Sequence, residues 1–218
     1  MSVLMEVWGD YGCFSRPELK VERVSYEVMT PSAARGILDA VFWHPGMRWQ
    51  IDRIYVLSPI RFTNIRRNEC KSKVSSSKAR TVMNGGKGDL CLYTSEDIQQ
   101  RAAMVLQNVH YVIEAHFKMT AEASPSDNAG KFQEMMKRRL DKGQCYHQPC
   151  LGTREFPARF RRWPGKPIPA IRENRDLGLM LYDLDYSDRE DIRPMFFRAR
   201  LTDGVLEVPD PASGEVLR

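Results

Sequence analysis

Between residues 109 and 119 the chain alternates without a break. Val109, Tyr111, Ile113, Ala115, Phe117 and Met119 fall on one side, and His110, Val112, Glu114, His116 and Lys118 fall on the other. A period of two sustained over that length is a strand with one face against a core. The rest of the chain must therefore supply neighbouring strands and a cover. Residues 2–8 alternate in the same way, with Val3, Met5 and Val7 opposite Leu4, Glu6 and Trp8. Between these two strands the period changes to that of a helix: Ala34, Ile37, Leu38, Val41 and Phe42 fall at i, i+3, i+4, i+7 and i+8. Thr30 suits the cap of that helix and Pro31 its first position, where a missing N–H is harmless; Pro45-Gly46 ends it.

Residues 49–63 read as a second strand, broken or edge-placed at Pro59. The Ser-, Lys- and Gly-rich stretch from about 66 to 90 reads as a long mobile basic loop, and SEDIQQRAAMVLQ as a short helix capped by Ser95. After the turn ASPSDNAG, Asp127 or Asn128 caps a helix running to about Lys142, with Phe132, Met135, Met136 and Leu140 as its apolar stripe. Residues 154–163 make a further strand. The order β-α-β-(loop)-β-α-β predicts an α+β fold of ferredoxin-like type over residues 1–164, with two helices on one face of an antiparallel sheet. From about residue 165 the pattern is all strand. LGLMLYDLDY forms one strand, and MFFRARL and VLEVP pair across Asp203-Gly204, so residues 165–218 are expected as a small C-terminal antiparallel β-sheet domain.

Composition excludes several classes. With 42% hydrophobic and 28% charged residues among 218, neither wholesale disorder nor a fibrous architecture fits. No apolar run approaches the roughly 20 residues of a membrane span, and MSVLMEVWGDYG has no basic region followed by an apolar core, so a cytoplasmic location and no membrane partner are expected. Five cysteines at irregular spacing suit a reducing compartment. The net charge is only +5, but it is unevenly spread. From 61 to 80 the basic residues face Glu69 alone, and from 137 to 166 they face only Asp141 and Glu155. Two such blocks on an otherwise acidic chain look like the footprint of a polyanion, most plausibly nucleic acid; a solvated face with no partner is the other reading. Phe62, Phe156, Phe160 and Trp163 lie among them and could stack on bases or fill a strand core.

Cys145, His147 and Cys150 lie close together, but no second half of a four-ligand site follows, so no metal is expected there. The run Asp183, Asp185, Asp188, Glu190 and Asp191 reads as a solvated face. Phosphate-loop, zinc-protease and serine-hydrolase signatures are missing. What remains is acid–base chemistry on RNA, which carries its own nucleophile in the 2′-OH. Lys131 stands near the positive end of its helix, where it would meet a phosphate. His44 sits just past the first helix beside a Pro-Gly turn; His110 and His116 share the polar face of their strand and are expected to be structural.

The segments VWGDYGCFSRPE, VERVSYEVMTPSAARGILDAVFWHP, NVHYVIEAHFKM, DNAGK and QPCLGTREFPARF, in that order and spacing, resemble the CRISPR-associated Cas-five family, d subtype, of type I-C systems. The resemblance runs from about residue 4 to residue 201. It implies a RAMP-type ferredoxin-like domain with a small C-terminal sheet, and an endoribonuclease that works without metal or other cofactor. Such a protein would cut the repeat hairpin of precursor CRISPR RNA through 2′-OH attack. It would then stay on the 5′ handle beside the other subunits of the type I-C interference complex. The family's catalytic Tyr, Lys and His fall, by position, on Phe42, Lys131 and Phe132. Only the lysine is kept. His44, two residues past Phe42, is the most economical source of proton transfer, since an unperturbed imidazole titrates near 6.5; Tyr11 is a second candidate. Arg35, Arg66, Arg67, Lys71, Lys73, Arg138 and Arg154 are the expected RNA contacts. The alternative is a subunit that binds the handle without cutting, and a more distant alternative is double-stranded DNA binding through the basic loop at 66–80.

Overall fold

The computed structural model describes residues 2–19, 21–188 and 190–217. Strand β1 (Val3–Gly12) is followed by helix α1 (Pro31–Val41), β2 (Met47–Val56), β3 (Phe62–Cys70), α2 (Ser76–Met83), β4 (Ile98–Met119), α3 (Ala129–Lys142), β5 (Arg159–Arg162), β6 (Arg175–Asp185), β7 (Arg193–Thr202), β8 (Val205–Glu207) and β9 (Val216–Leu217). The strands line up as β5-β1-β4-β2-β8-β7-β6, with β3 paired to β4 and β9 to β7. The chain forms two compact units, residues 64–103 and the remainder.

In the larger unit the alternating pattern becomes register. Met5, Ile113 and Ile54 lie side by side on β1, β4 and β2, as do Val7, Tyr111 and Val56, and these six are buried. Ile37, Leu38 and Val41 of α1 and Phe132, Met136 and Leu140 of α3 are buried with them. Burying a large apolar side chain in this way contributes about 1.5–3 kcal/mol. The expected caps form. Thr30 Oγ1 accepts the Ala33 N–H at 3.3 Å with Pro31 behind it, and Asn128 Oδ1 accepts the Lys131 N–H at 2.8 Å.

The opposite face of the same strands carries Glu6, Val112, Glu114 and Tyr55. The chain crosses this face. Trp163 donates its N–H to the Leu4 carbonyl on β1 at 3.0 Å, Lys166 Nζ donates to Glu114 Oε1 on β4 at 3.0 Å, and the Ile171 N–H donates to the Val56 carbonyl on β2 at 2.9 Å. Val112, beneath the crossing, is fully buried. Burial alone would raise the Glu114 carboxyl, but hydrogen bonds from Tyr55 (2.6 Å) and Lys166 outweigh it and hold the group below its ordinary range. Glu6, buried likewise, is held down by Arg161 and His110.

Two sequence expectations are corrected. The helix expected from Ser95 is the first part of β4. AAMVLQ suits either period, and pairing decides it: Leu106 and Gln107 sit opposite Gly12 and Tyr11, while Met104 bridges Val24. The loop expected over 66–90 contains the end of β3 and the helix α2, whose cap Ser75 accepts the Lys78 N–H at 3.3 Å. The strand expected over 49–63, broken or edge-placed at Pro59, is broken there: β2 ends at Val56 and β3 starts at Phe62, on either side of a residue with no N–H for a ladder. Of the C-terminal strands, expected as a small antiparallel β-sheet domain from residue 165, β8 pairs with β2 at Arg53–Glu207, Ile54–Leu206 and Tyr55–Val205. Their hairpin turns at Asp203 (φ +47°) and Gly204 (φ +73°), the positive pair that a tight two-residue turn requires. A Cβ on Gly204 would lie 2.2 Å from the Ile171 carbonyl oxygen, so the turn also admits the crossing segment.

Candidate functional site

Helix α1 ends with its last carbonyls taken. The Tyr146 N–H donates to Ala40 at 2.8 Å, Arg139 Nη1 donates to Val41, and Trp49 Nε1 donates to Phe42 at 2.9 Å. Groups that a helix end leaves unpaired are thus satisfied from three other places in the chain, which fixes the exit of the helix. Trp43, His44 and Pro45 lead out from it. The turn they make is fastened to residues 120–123: the Thr120 N–H donates to the Gly46 carbonyl at 3.0 Å, and Thr120 Oγ1 donates to the Pro45 carbonyl at 2.6 Å. A Cβ on Gly46 would stand 2.8 Å from Ala123 Cα, so only glycine permits this approach.

That turn carries His44 to the start of α3. His44 Nδ1 accepts the Gly46 N–H at 3.1 Å and lies 3.9 Å from Asp127 Oδ2. The His44 ring stacks against Phe132 with centroids 4.8 Å apart. Lys131 Nζ reaches back one helical turn and donates to Asp127 Oδ1 at 3.0 Å. Asp127 is itself held by the Ser124 N–H, which donates to Oδ2 at 3.0 Å, and its side chain is only 2% exposed. The Lys131 ammonium, joined by the Ser124 N–H, holds the Asp127 carboxyl down to about 2. One carboxylate thus has an ammonium on one oxygen and an imidazole near the other, both partly open to solvent. This set can offer a cation to a phosphate oxygen and a ring nitrogen to a proton.

Phe42 and Phe132 lie side by side beneath this set, rings 5.8 Å apart and both buried. Arg139 stacks over Phe42 at 5.1 Å. Two large aromatics near the same helix end are exposed instead, Trp43 at 61% and Tyr146 at 86%.

The structure brings Lys131 and His44 together on Asp127. Arg138 and Arg154 are exposed. Arg35 is committed elsewhere: its Nε and Nη2 donate to Asp183 at 2.8 and 2.9 Å and its Nη1 to Asp39 at 2.9 Å, so its donors face carboxylates rather than open solvent. In the unit 64–103, Arg66, Lys71 and Lys73 are exposed and Arg67 is half-buried. Tyr11, the second proton-transfer candidate, packs at 5.9 Å against Phe156. His110 and His116 hold Glu6 at 2.7 Å and Asp52 at 2.8 Å, as structural residues would. Among the described residues no three His, Cys, Asp or Glu side chains converge as metal ligands. Sequence reasoning missed Asp127, weighing it only as a cap; its i,i+4 spacing from Lys131 was the available signal. Trp43 and Tyr146 were also missed. Trp43 falls outside the apolar stripe of α1, which was the clue to its exposure.

A family model described as CRISPR-associated protein (Cas_Cas5), of the Cas5d type, matches residues 2–209. The chain belongs to the Cas5d family. A relative from Mannheimia succiniciproducens, named CRISPR pre-crRNA endoribonuclease Cas5d, is 51% identical over 223 residues, covering 99% of this chain and 98% of that one. A second of the same name, from Thermus thermophilus, is 39% identical over 231 residues, covering 98% and 94%. Among solved structures, a crystal structure of a CRISPR-associated protein superposes with a TM-score of 0.71 at 18% identity, covering 100% of this chain and 97% of that one. A chain of a CRISPR RNA-guided surveillance complex gives 0.51 at 14% identity, covering 96% and 91%. At such identities these two speak for the fold alone, and they agree that this Cas5d chain is a mixed α/β protein built on a large antiparallel sheet.

Proposed function

We propose that this Cas5d chain is an endoribonuclease that cuts the repeat of precursor CRISPR RNA without a metal ion and then holds the 5′ handle as a subunit of a type I-C interference complex. The order β5-β1-β4-β2 with α1 and α3 supports reading this part of the sheet as ferredoxin-like, of RAMP type, with β6 to β9 as its extension. The observation that carries the reading is the pairing of Lys131 and His44 across Asp127, in a chain half identical to a relative named for this activity.

In the proposed reaction the 2′-oxygen attacks the adjacent phosphorus and the bond to the 5′-oxygen breaks. A cyclic 2′,3′-phosphate and a 5′-hydroxyl result. The 2′-OH proton must leave and the 5′-oxygen must gain one, which is the work of His44. The negative charge that grows on the phosphate oxygens is met by Lys131, in the first turn of α3 where the helix dipole adds to its charge. The exposed rings of Trp43 and Tyr146 offer faces on which flanking bases stack. The crossing segment occupies the far face of the sheet, which directs RNA to the helix side.

A second reading, handle binding without cleavage, is favoured by one observation: Phe42 and Phe132 are buried and pack on each other, and neither ring exchanges a proton. Incubating the protein in excess EDTA with repeat RNA, beside a copy lacking the 2′-OH at the cut, separates the two. Cleavage of the first substrate alone is the expected result. Tight binding with neither substrate cut leaves the handle-binding reading.

A further inference from the structure

His44 Nδ1 has two partners within reach. One is the Gly46 N–H, a donor, at 3.1 Å; the other is Asp127 Oδ2, an acceptor, at 3.9 Å. A ring nitrogen that accepts the Gly46 N–H is unprotonated, so the neutral ring then carries its hydrogen on Nε2. In that form Nε2 cannot take a proton. Nε2 becomes a base only when the hydrogen moves to Nδ1. The Gly46 N–H then opposes it, and Asp127 is the acceptor beside it. The same holds for the imidazolium, whose Nδ1–H needs an anion while Nε2–H is offered to a leaving oxygen. Around the ring, among the described residues, stand the Phe132 face, the Gly46 backbone and the charged Asp127, with Lys131 on that carboxylate's other oxygen.

We infer that Asp127 is a positioning residue for His44: it draws Nδ1 away from the Gly46 N–H, fixes the base-competent tautomer, and is the counterion of the imidazolium. Lys131 shares the carboxylate and so moderates that pull. The carboxylate is buried, is tied to the Ser124 backbone and stays ionised throughout the range in which an imidazole titrates. The role in cleavage rests on the function proposed above; the coupling between the two side chains does not.

The test has two parts. The first, without RNA, follows the His44 ring protons by NMR across pH in wild type, Asp127→Asn and Lys131→Met. The midpoint is expected to fall by about half a pH unit or more in Asp127→Asn, because a negative charge some 4 Å away is lost. It is expected to rise in Lys131→Met, where the carboxylate loses its other partner. Asp127→Glu should restore most of the wild-type midpoint, and matching amide spectra will identify any variant that has failed to fold. Midpoints that do not differ overturn the inference.

The second part records single-turnover cleavage of repeat RNA across pH. Asp127→Asn is expected to lose about ten- to a hundredfold in rate, to move the pH profile in the direction of the NMR midpoint, and to bind RNA within about twofold of wild type. Midpoints that shift while the cleavage profile does not overturn the positioning role. If wild type shows the coupling but cuts nothing, the inferred pairing stands and the endoribonuclease reading is the one that fails.

Discussion

Lys131 has two tasks at one atom. Its Nζ neutralises Asp127, and it stands at the helix end where a phosphate would arrive. Replacing it by Ala is expected to slow single-turnover cleavage by about a hundredfold or more while repeat RNA still binds, because charge developing in the transition state loses its cation. Full activity in Lys131→Ala would remove it from the site. Trp43→Ala and Tyr146→Ala act on affinity instead. Each is expected to weaken binding of single-stranded repeat RNA by about 1–3 kcal/mol in an anisotropy titration, the worth of one stacked base. Affinity equal to wild type in both would mean that neither ring meets RNA. Lys131 and its cap Asn128 were legible in the sequence, since a cap and a first-turn cation are local features. Asp127 was legible only as a turn residue: its meaning depends on the clamp between 44–46 and 120–123, a contact that no local pattern encodes.

The elements obey their sequence patterns where the pattern is long and lose them where neighbours decide. Both α1 and α3 start at the expected caps. The first part of β4 is a strand against its helical reading, because ladder partners, on β3 and from Leu106 onward on β1, outweigh a weak propensity. The polar face of β4 supplies a prediction of its own. Tyr55→Phe deletes the O–H that donates to Glu114 at 2.6 Å and leaves a nearly buried carboxylate short of a donor. A loss of about 1–2 kcal/mol in urea unfolding at pH 7 is expected. The pH dependence has a definite sign. Glu6 and Glu114 are held below their unfolded values, so the stability they contribute is complete above about pH 4.5 and is lost as pH falls through their folded values. Wild type should therefore weaken under mild acid, and the gap to Tyr55→Phe should narrow there. A gap that stays constant as pH falls through those folded values would contradict this account.

At the scale of the whole molecule the uneven charge is the main guide to binding. The affinity for repeat RNA should fall with salt, each neutralised single-strand phosphate adding about 0.7 to the logarithmic slope. Converting Arg66, Lys71 and Lys73 together to Ala tests the unit 64–103: a shallower slope assigns it to the footprint, and an unchanged slope excludes it. The existence of two basic blocks was legible from composition along the chain. The continuity of the sheet was not, because the pairing of β8 with β2 joins residues some 150 positions apart. The segment from Trp163 to Ile171 has a consequence for how the chain is made. A ribosome delivers β1, β2 and β4 long before the residues that cross over them. Until Ile171 has emerged and found Val56, Val112 lies bare and Glu114 waits for its lysine. A nascent chain stalled at residue 164 would leave uncovered a face, with Val112 at its centre and the Glu114 carboxylate beside it, that the finished protein buries.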